Sequence, residues 1–445
     1  MTTPTTSTDT ECPECSGSLT SDPRFTVWCP SCHWNALPES SRKSAVTSGS
    51  GGVRRRLDQT LEQRLFDEAS SGRELRPRRG AGHLAAVLLA LPVHLVTVAA
   101  LVGAVLLMRF GAWTADLAAV ALLGVAYLGR PRLGDLARTR KSGHPLSRKA
   151  APQLWALADS VAEQLGTRAP GLILVDARYN ASYARVGWRR RVVLRLGLPL
   201  WLSLTEQERV ALLAHEFGHG VNGDSRRGVW LGAALGSLSE WVRLLRPARG
   251  GVRVRGGMEA LAALLARGLM SFLSALVELY LRLLDRATRL DSRRAEYLAD
   301  SYTVRLAGGA GAAGLLEALH LRTAFETVTH QARMAARQAR AQARGRAGGE
   351  ARGQADGPQQ PDLWVGLTAY VRSIPAEERA RRVIAAELTH DDFDTTHPPT
   401  HLRLAFVRGL PASEPAVVLD VAASAAIDAE LRPVGRSLEA ALLDR

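Results

Sequence analysis

Between Leu84 and Met108 the chain is almost purely apolar, interrupted only by Pro92, His94 and Thr97. A helix needs about 20 such residues to cross the hydrocarbon layer of a bilayer, so this stretch predicts a membrane-spanning helix. After a turn at residues 109–111, positions 112–129 (AWTADLAAVALLGVAYLG) form a second, shorter apolar run that carries Asp116. Because Asp116 lies one turn from the hairpin, it can sit in the interface and avoid the roughly 2.5–3.5 kcal/mol cost of a charge at a helix centre. Residues 83–129 therefore read as a transmembrane hairpin. An apolar run that begins after residue 80 is not expected to be a signal peptide.

Downstream the pattern changes period. The runs GLILVDAR (171–178) and RVVLRL (191–196) read as strands, with NASYARVGW between them as an exposed edge. Thr205 and Glu208 then form a T-x-x-E capping box, and Val210, Leu213, Ala214 and Phe217 continue an apolar stripe at helical spacing until Asn222-Gly223. A second helix is expected from a cap at Asp291 to a stop at Gly308-Gly309. Between these two lie helical segments at 228–245 and 258–284. The loop joining them carries Arg243, Arg246, Arg249, Arg253 and Arg255, and Arg267 and Glu278 interrupt the second segment. These segments either span the membrane or lie as an interfacial hairpin at its cytoplasmic leaflet.

Residues 38–82 are Ser/Gly-rich and then basic, which reads as a flexible linker resting on the inner leaflet. Residues 325–361, rich in Arg, Gln, Gly and Ala, read as a low-complexity segment, a frayed helix leading into a loop. The fold class expected is mainly α with a small β-sheet: an α+β catalytic domain over 150–445, joined to integral membrane helices.

Charge narrows the partners. The 445 residues include 57 Lys+Arg against 43 Asp+Glu, a formal charge of +14, with 46% hydrophobic but only 5% aromatic content. A basic surplus suits either nucleic acid or anionic lipid. Here the arginines flank apolar runs and are not interleaved with aromatic residues, so lipid is expected and nucleic acid is not. GRELRPRRG precedes the hairpin and RPRLGDLARTRKSGHPLSRK follows it, which places both ends of the hairpin on the cytoplasmic side of an inner (plasma) membrane, in a multi-pass arrangement.

The four cysteines are Cys12, Cys15, Cys29 and Cys32, two C-x-x-C pairs with the spacing of a zinc ribbon over residues 1–37. Four thiolates close the coordination shell, so a zinc held there is structural. A redox or disulfide pair is the competing reading. So small a module buries too little apolar surface to fold without its metal, and it offers a possible surface for a protein partner.

The chemistry concentrates in HEFGH. His215 and His219, four apart on a helix, present both imidazoles to one metal ion, with Glu216 beside them as a general base. Glu296 and Asp300 in SRRAEYLAD are also four apart; one carboxylate can ligate zinc while the other orients a ligand imidazole. The bland alternative, a pair of core histidines, accounts for HEFGH alone but not for both motifs.

Four motifs together resemble the HtpX-like membrane zinc endopeptidases, gluzincins related to the CAAX prenyl endopeptidases and the mitochondrial Oma protease. They are Asn180, Ala181 and Ala184 in NASYA; Asn222 and Asp224 after HEFGH; EYLAD; and Thr396, His397, Pro398, Pro399 and Arg403 near the C-terminus. The resemblance covers roughly residues 150–445 and the hairpin. It implies a catalytic zinc on His215, His219 and Glu296, with Asp300 and Asp224 in support. His397 and Arg403 are candidates for stabilising an oxyanion, and Asn180 for holding the substrate backbone. Relatives commonly carry an apolar residue where Ser182-Tyr183 follows the Asn-Ala pair here. The activity implied is hydrolysis of peptide bonds in membrane or misfolded proteins at the cytoplasmic face. A catalytically silent zinc-binding scaffold or adaptor that uses its ribbon to bind partners is the alternative.

Overall fold

The computed structural model describes residues 11–20, 22–37, 52–72, 81–111, 113–130, 135–187, 189–221, 224–246, 257–347, 362–389 and 397–444. Asn222, Gly223 and Thr396 lie outside them, as does most of the arginine-rich loop at 247–256.

At the N-terminus two turns place the cysteines in pairs. The amide of Ser16 donates to the Cys12 carbonyl and that of His33 to the Cys29 carbonyl, and each donor residue has the positive φ that such a turn needs. The sulfurs of Cys12 and Cys32, and those of Cys15 and Cys29, are 3.5 Å apart. A disulfide requires about 2.05 Å, whereas zinc bonds of about 2.3 Å in a tetrahedron separate sulfurs by about 3.8 Å. The four thiols are free and cluster tightly enough to share one ion, so the geometry fits zinc rather than a disulfide. Metal analysis is expected to find two zinc ions per chain, falling to one in the Cys12→Ser/Cys15→Ser variant; an unchanged count would contradict this assignment.

The ribbon docks on the rest of the chain. Arg24 donates to the hydroxyl and carbonyl of Ser373 at 2.9 and 2.8 Å, Arg381 donates to the Ala36 carbonyl at 2.9 Å, and Phe25 packs against the main core.

Residues 38–51 and 73–80 lie outside the described residues, but helix α1 (Gly52–Ser70) replaces the expected flexible linker with regular helix in its part of the 38–82 segment. Its residues Leu65, Phe66 and Ala69 pack against Tyr297, Leu404 and Phe406, and Glu62 pairs with Arg293 at 2.6 Å with both side chains largely buried. Helices α2 (Ala81–Phe110) and α3 (Asp116–Gly129) form the apolar hairpin. A short helix α4 (Leu136–Lys141) leads to strand β1 (His144–Leu146) and helix α5 (Pro152–Gln164).

Strands β2 (Leu172–Asp176), β3 (Ala181–Val186) and β4 (Arg191–Gly197) complete a four-stranded sheet in the order β1-β2-β4-β3. The β2/β4 pair is parallel, and β4/β3 is antiparallel with Tyr183 opposite Leu194. Every residue of β2 is buried, as a continuous apolar run predicts for an interior strand. β3, whose exposed and covered residues alternate, takes the edge.

Helix α6 (Leu198–Leu202) turns the chain into α7 (Glu206–Val221). The capping box forms: the Thr205 amide donates to Glu208 Oε2 at 2.8 Å. The α7 stripe of Val210, Leu213, Ala214 and Phe217 packs into one core with Ile173, Val175 and Leu194 of the sheet and Leu154 and Val161 of α5. Fully buried side chains such as Leu213 and Phe217 each contribute about 1.5–3 kcal/mol.

Helix α8 (Asp224–Leu245) and the long α9 (Gly257–Ala318) follow. Asp291 does not cap a helix: it lies inside α9, because the Leu, Ala and Arg residues before it continue the helix from Gly257. The expected break at Gly308 is present, with φ 78°. Helix α10 (Arg322–Ala347) shows that the first part of the 325–361 segment is regular helix; residues 348–361 lie outside the description. Helices α11 (Leu363–Arg372), α12 (Ala376–Thr389), α13 (Thr400–Gly409) and α14 (Val421–Leu443) complete the chain.

The chain is mainly α with one small sheet, and its apolar helices form a bundle of their own. Ala86, Ala90 and Val93 of α2 pack against Leu231, Ala234 and Leu238 of α8 and Leu284 of α9. Tyr280 donates to the Leu89 carbonyl at 2.6 Å and Ser237 to the Gly129 carbonyl at 3.0 Å, tying α9 to α2 and α8 to the end of α3. Small residues at such seams let helices approach closely. The outward residues Leu88, Leu95 and Met108 of α2, and Leu264, Leu269, Phe272 and Leu276 of α9, are exposed. Among the described residues two helices, one running Leu84–Phe110 and one beginning its apolar stretch at Leu261, are long and apolar enough to cross a membrane.

Candidate metal centre

Helices α7 and α9 meet where side chains are smallest. A Cβ added at Gly218 would lie 3.1 Å from the Ala299 Cα, so glycine at 218 permits the close crossing. On either side of that contact stand His215 and His219 on α7 and Glu296 and Asp300 on α9. His215 Nε2 is 3.3 Å from Glu296 Oε2, and His219 Nε2 is 3.6 Å from Glu296 Oε1. Two ligand atoms of a tetrahedral zinc, each about 2.05 Å from the ion, are separated by about 3.3 Å. The two imidazole rings are nearly perpendicular, with centroids 4.9 Å apart.

A third imidazole arrives from the C-terminal region. His397, just ahead of α13, places Nδ1 2.7 Å from Glu296 Oε2, and the ligand atoms of His215, Glu296 and His397 all lie within 4.8 Å of one another. Glu296 Oε2 is buried and accepts no properly aligned hydrogen bond. A buried carboxylate oxygen that faces nitrogen ligands of two histidines without an aligned hydrogen bond is what a cation site presents when its side chains are arranged around the ion. The donor set, two or three imidazoles and one carboxylate, suits zinc.

Behind the ligands lies a buried charge network. Asp300 Oδ1 is 3.2 Å from His215 Nδ1, and Arg403 binds both Asp300 oxygens, through Nε at 2.8 Å and Nη2 at 2.7 Å. Arg403 Nη2 also lies 3.8 Å from Glu296 Oε2. Burial alone would raise both carboxyls. For Glu296 the cationic forms of His219 and His397 outweigh it and hold the group well below the usual range; for Asp300 the Arg403 guanidinium does the same. Burial and the nearby Arg403 push the His215 imidazole down, yet its contacts with Asp300 and Glu296 prevail and raise it from 6.5 to about 9.

Metal binding must therefore displace a proton from His215. As pH rises toward the raised pKa that competitor is lost, so apparent zinc affinity is expected to climb by up to about tenfold per pH unit between about pH 6.5 and 8.5. Calorimetry in buffers of different ionisation enthalpy should show at least one proton released per zinc at this site. Affinity that is flat across that interval would contradict the network described.

Glu216 follows His215 and is half-buried, as is His219, in a stretch of α7 whose other residues from Glu208 to Gly220 are buried. The catalytic base candidate is thus on the open side of the metal helix. Arg403 departs from its expected part in oxyanion stabilisation. Its side chain is 4% exposed, bound to Asp300 and 3.3 Å from His215 Nδ1, a buried setting that suits holding a ligand in position. The Asn180 side chain accepts from the Ala181 amide at 2.9 Å and its carbonyl accepts from the Gly197 amide, extending the β3/β4 pairing by one bond at the start of β3. Asp224 begins α8, and nothing is described of its side chain.

Two contributors had weak signals in the sequence. His397 was flagged only through its Thr-His-Pro-Pro setting, and nothing local marks it as a neighbour of Glu296. The bracing of α9 by α1 was visible only as the Leu65, Phe66 and Ala69 spacing inside a charged segment.

The sequence profile of peptidase family M48 matches residues 148–410, from just after β1 through α13. The ribbon, α1, the α2–α3 hairpin and α14 lie outside that match. No curated protein and no solved structure is similar enough to count as a match.

Proposed function

The chain belongs to peptidase family M48, and on that premise we propose that it is a membrane-bound zinc endopeptidase that cleaves membrane or misfolded proteins at the cytoplasmic face. The observation that carries this reading is the convergence of His215, His219 and Glu296 beside Glu216. His215, His219 and Glu296 would hold the catalytic zinc, with His397 within reach of the same position. When bound, the zinc supplies Lewis acidity toward a carbonyl oxygen and toward water. Glu216 takes the proton of the attacking water and later delivers it to the leaving nitrogen. Asp300 fixes the His215 ring by accepting at Nδ1, and Arg403 fixes Asp300. The edge strand β3, paired only with β4 among the described residues, offers an extended substrate a place to add as a further strand.

Membrane attachment rests on the apolar bundle. The first part of α9 packs on α2 and α8 and leaves a leucine-rich surface outward, which favours spanning over an interfacial position for α9 despite the arginines in the loop before it. The basic segments on both sides of the hairpin support a cytoplasmic site.

The test is proteolysis by the full chain purified in detergent, with an unfolded protein as probe. Activity is expected, lost on chelation and restored by zinc. A folded, zinc-loaded protein that cleaves neither unfolded membrane proteins nor peptides would point instead to the scaffold reading, with the docked ribbon as its working part.

A further inference from the structure

Resting on the peptidase reading above, we propose that Arg185 is a specificity-determining residue that selects an acidic side chain in the substrate strand laid along β3. Tyr183 and Arg185 are two apart on the edge strand and so share one face. That face is turned to the metal helix: the Tyr183 ring meets Phe217 edge-on at 5.5 Å, between the two histidine ligands in sequence. A Cβ at Gly220 would come within 2.8 Å of the Tyr183 hydroxyl, so Tyr183 is seated against the end of α7 immediately after His219.

Arg185 continues this face one strand repeat farther along. Its Nε donates to the Tyr183 hydroxyl at 3.2 Å, which holds the guanidinium in place beside the site. No carboxylate among the described residues pairs with it. Other arginines of the sheet region differ: Arg195 and Arg178 both pair with Asp176. The surrounding sequence adds to the positive field, since residues 177–205 contain Arg178, Arg185, Arg189, Arg190, Arg191 and Arg195 and no acidic residue.

A substrate strand added at the free edge of β3 places one side chain directly opposite Arg185, with Cβ atoms about 5 Å apart. An Asp or Glu there forms a cross-strand ion pair with a partly buried, pre-oriented cation, and a Lys or Arg there meets a like charge. The subsite lies two residues along the substrate strand from the one facing Tyr183.

Cleavage-site mapping by mass spectrometry tests this, using the full chain in detergent and an unfolded, charge-rich protein as probe. At one fixed position relative to the cut, wild type is expected to favour acidic over basic residues by about fivefold. Arg185→Glu should invert that preference, a swing of about tenfold or more, while Arg185→Lys should keep its sign. The wild-type preference should also shrink between low and high salt, which needs no variant to fold. Cleavage without a charge preference at any position, or an Arg185→Glu pattern equal to wild type, would overturn the inference and leave the peptidase reading standing. No cleavage by wild type at all would remove both.

Discussion

Glu216→Gln is expected to lower peptide hydrolysis by about 10²–10⁴-fold, the range for loss of a general base, while both zinc ions remain bound. The substitution keeps the shape of the side chain and removes only its ability to accept a proton. Glu216 does not belong to the ligand cluster of His215, Glu296 and His397, and it stands on the less buried side of α7. Its replacement therefore leaves the α7–α9 crossing and the Arg403–Asp300 pair untouched. Turnover and zinc content measured on one preparation separate the chemical role from a structural one. Full activity in the variant would show that the proton goes elsewhere, and zinc loss in parallel with activity would show that Glu216 supports the metal instead.

The second large effect concerns stability. Arg403→Ala leaves the Asp300 carboxylate buried with only His215 beside it, and breaking a buried pair in this way costs about 3–5 kcal/mol. Both side chains are nearly inaccessible, so water cannot replace the lost guanidinium. Thermal or denaturant unfolding in detergent should show a strongly destabilised protein. Replacing both partners, as in Asp300→Leu/Arg403→Leu, is expected to recover most of that stability, because no uncompensated charge remains. Zinc affinity should nevertheless stay about 10–100-fold weaker, since His215 loses the acceptor that orients its ring. An Arg403→Ala protein as stable as wild type would mean that the pair does not organise the site.

What was legible in the sequence was local. His215, Glu216 and His219 sit within five residues; Glu296 and Asp300 are one helical turn apart; and the cysteine knuckles repeat a short motif, so each geometry follows from spacing along a single element. Three of the four strands were legible for the same reason: the apolar runs at 171–178 and 191–196 mark strands and NASYARVGW marks the edge, whereas the three-residue β1 is too short to leave a pattern. Contacts between distant segments were not. Arg403 stands out through its motif, but its pairing with Asp300, 103 positions away, has no local signal. The helix at 52–70 hides its apolar stripe among charges, and its ion pair with Arg293 depends on a neighbour with no sequence relation to it. Asp291 misled because a good capping residue is tolerated inside a long helix whose other residues favour it.

The central claim is that two helices bring His215, His219 and Glu296 onto one zinc ion. X-ray absorption at the zinc edge, on protein in which Cys12, Cys15, Cys29 and Cys32 are replaced by serine, tests it most directly because only this site can then hold metal. One zinc per chain is expected, with nitrogen and oxygen neighbours at about 2.0–2.2 Å, an imidazole scattering signature and no sulfur. A protein that is folded but retains no zinc, or a zinc shell without imidazole, would contradict it.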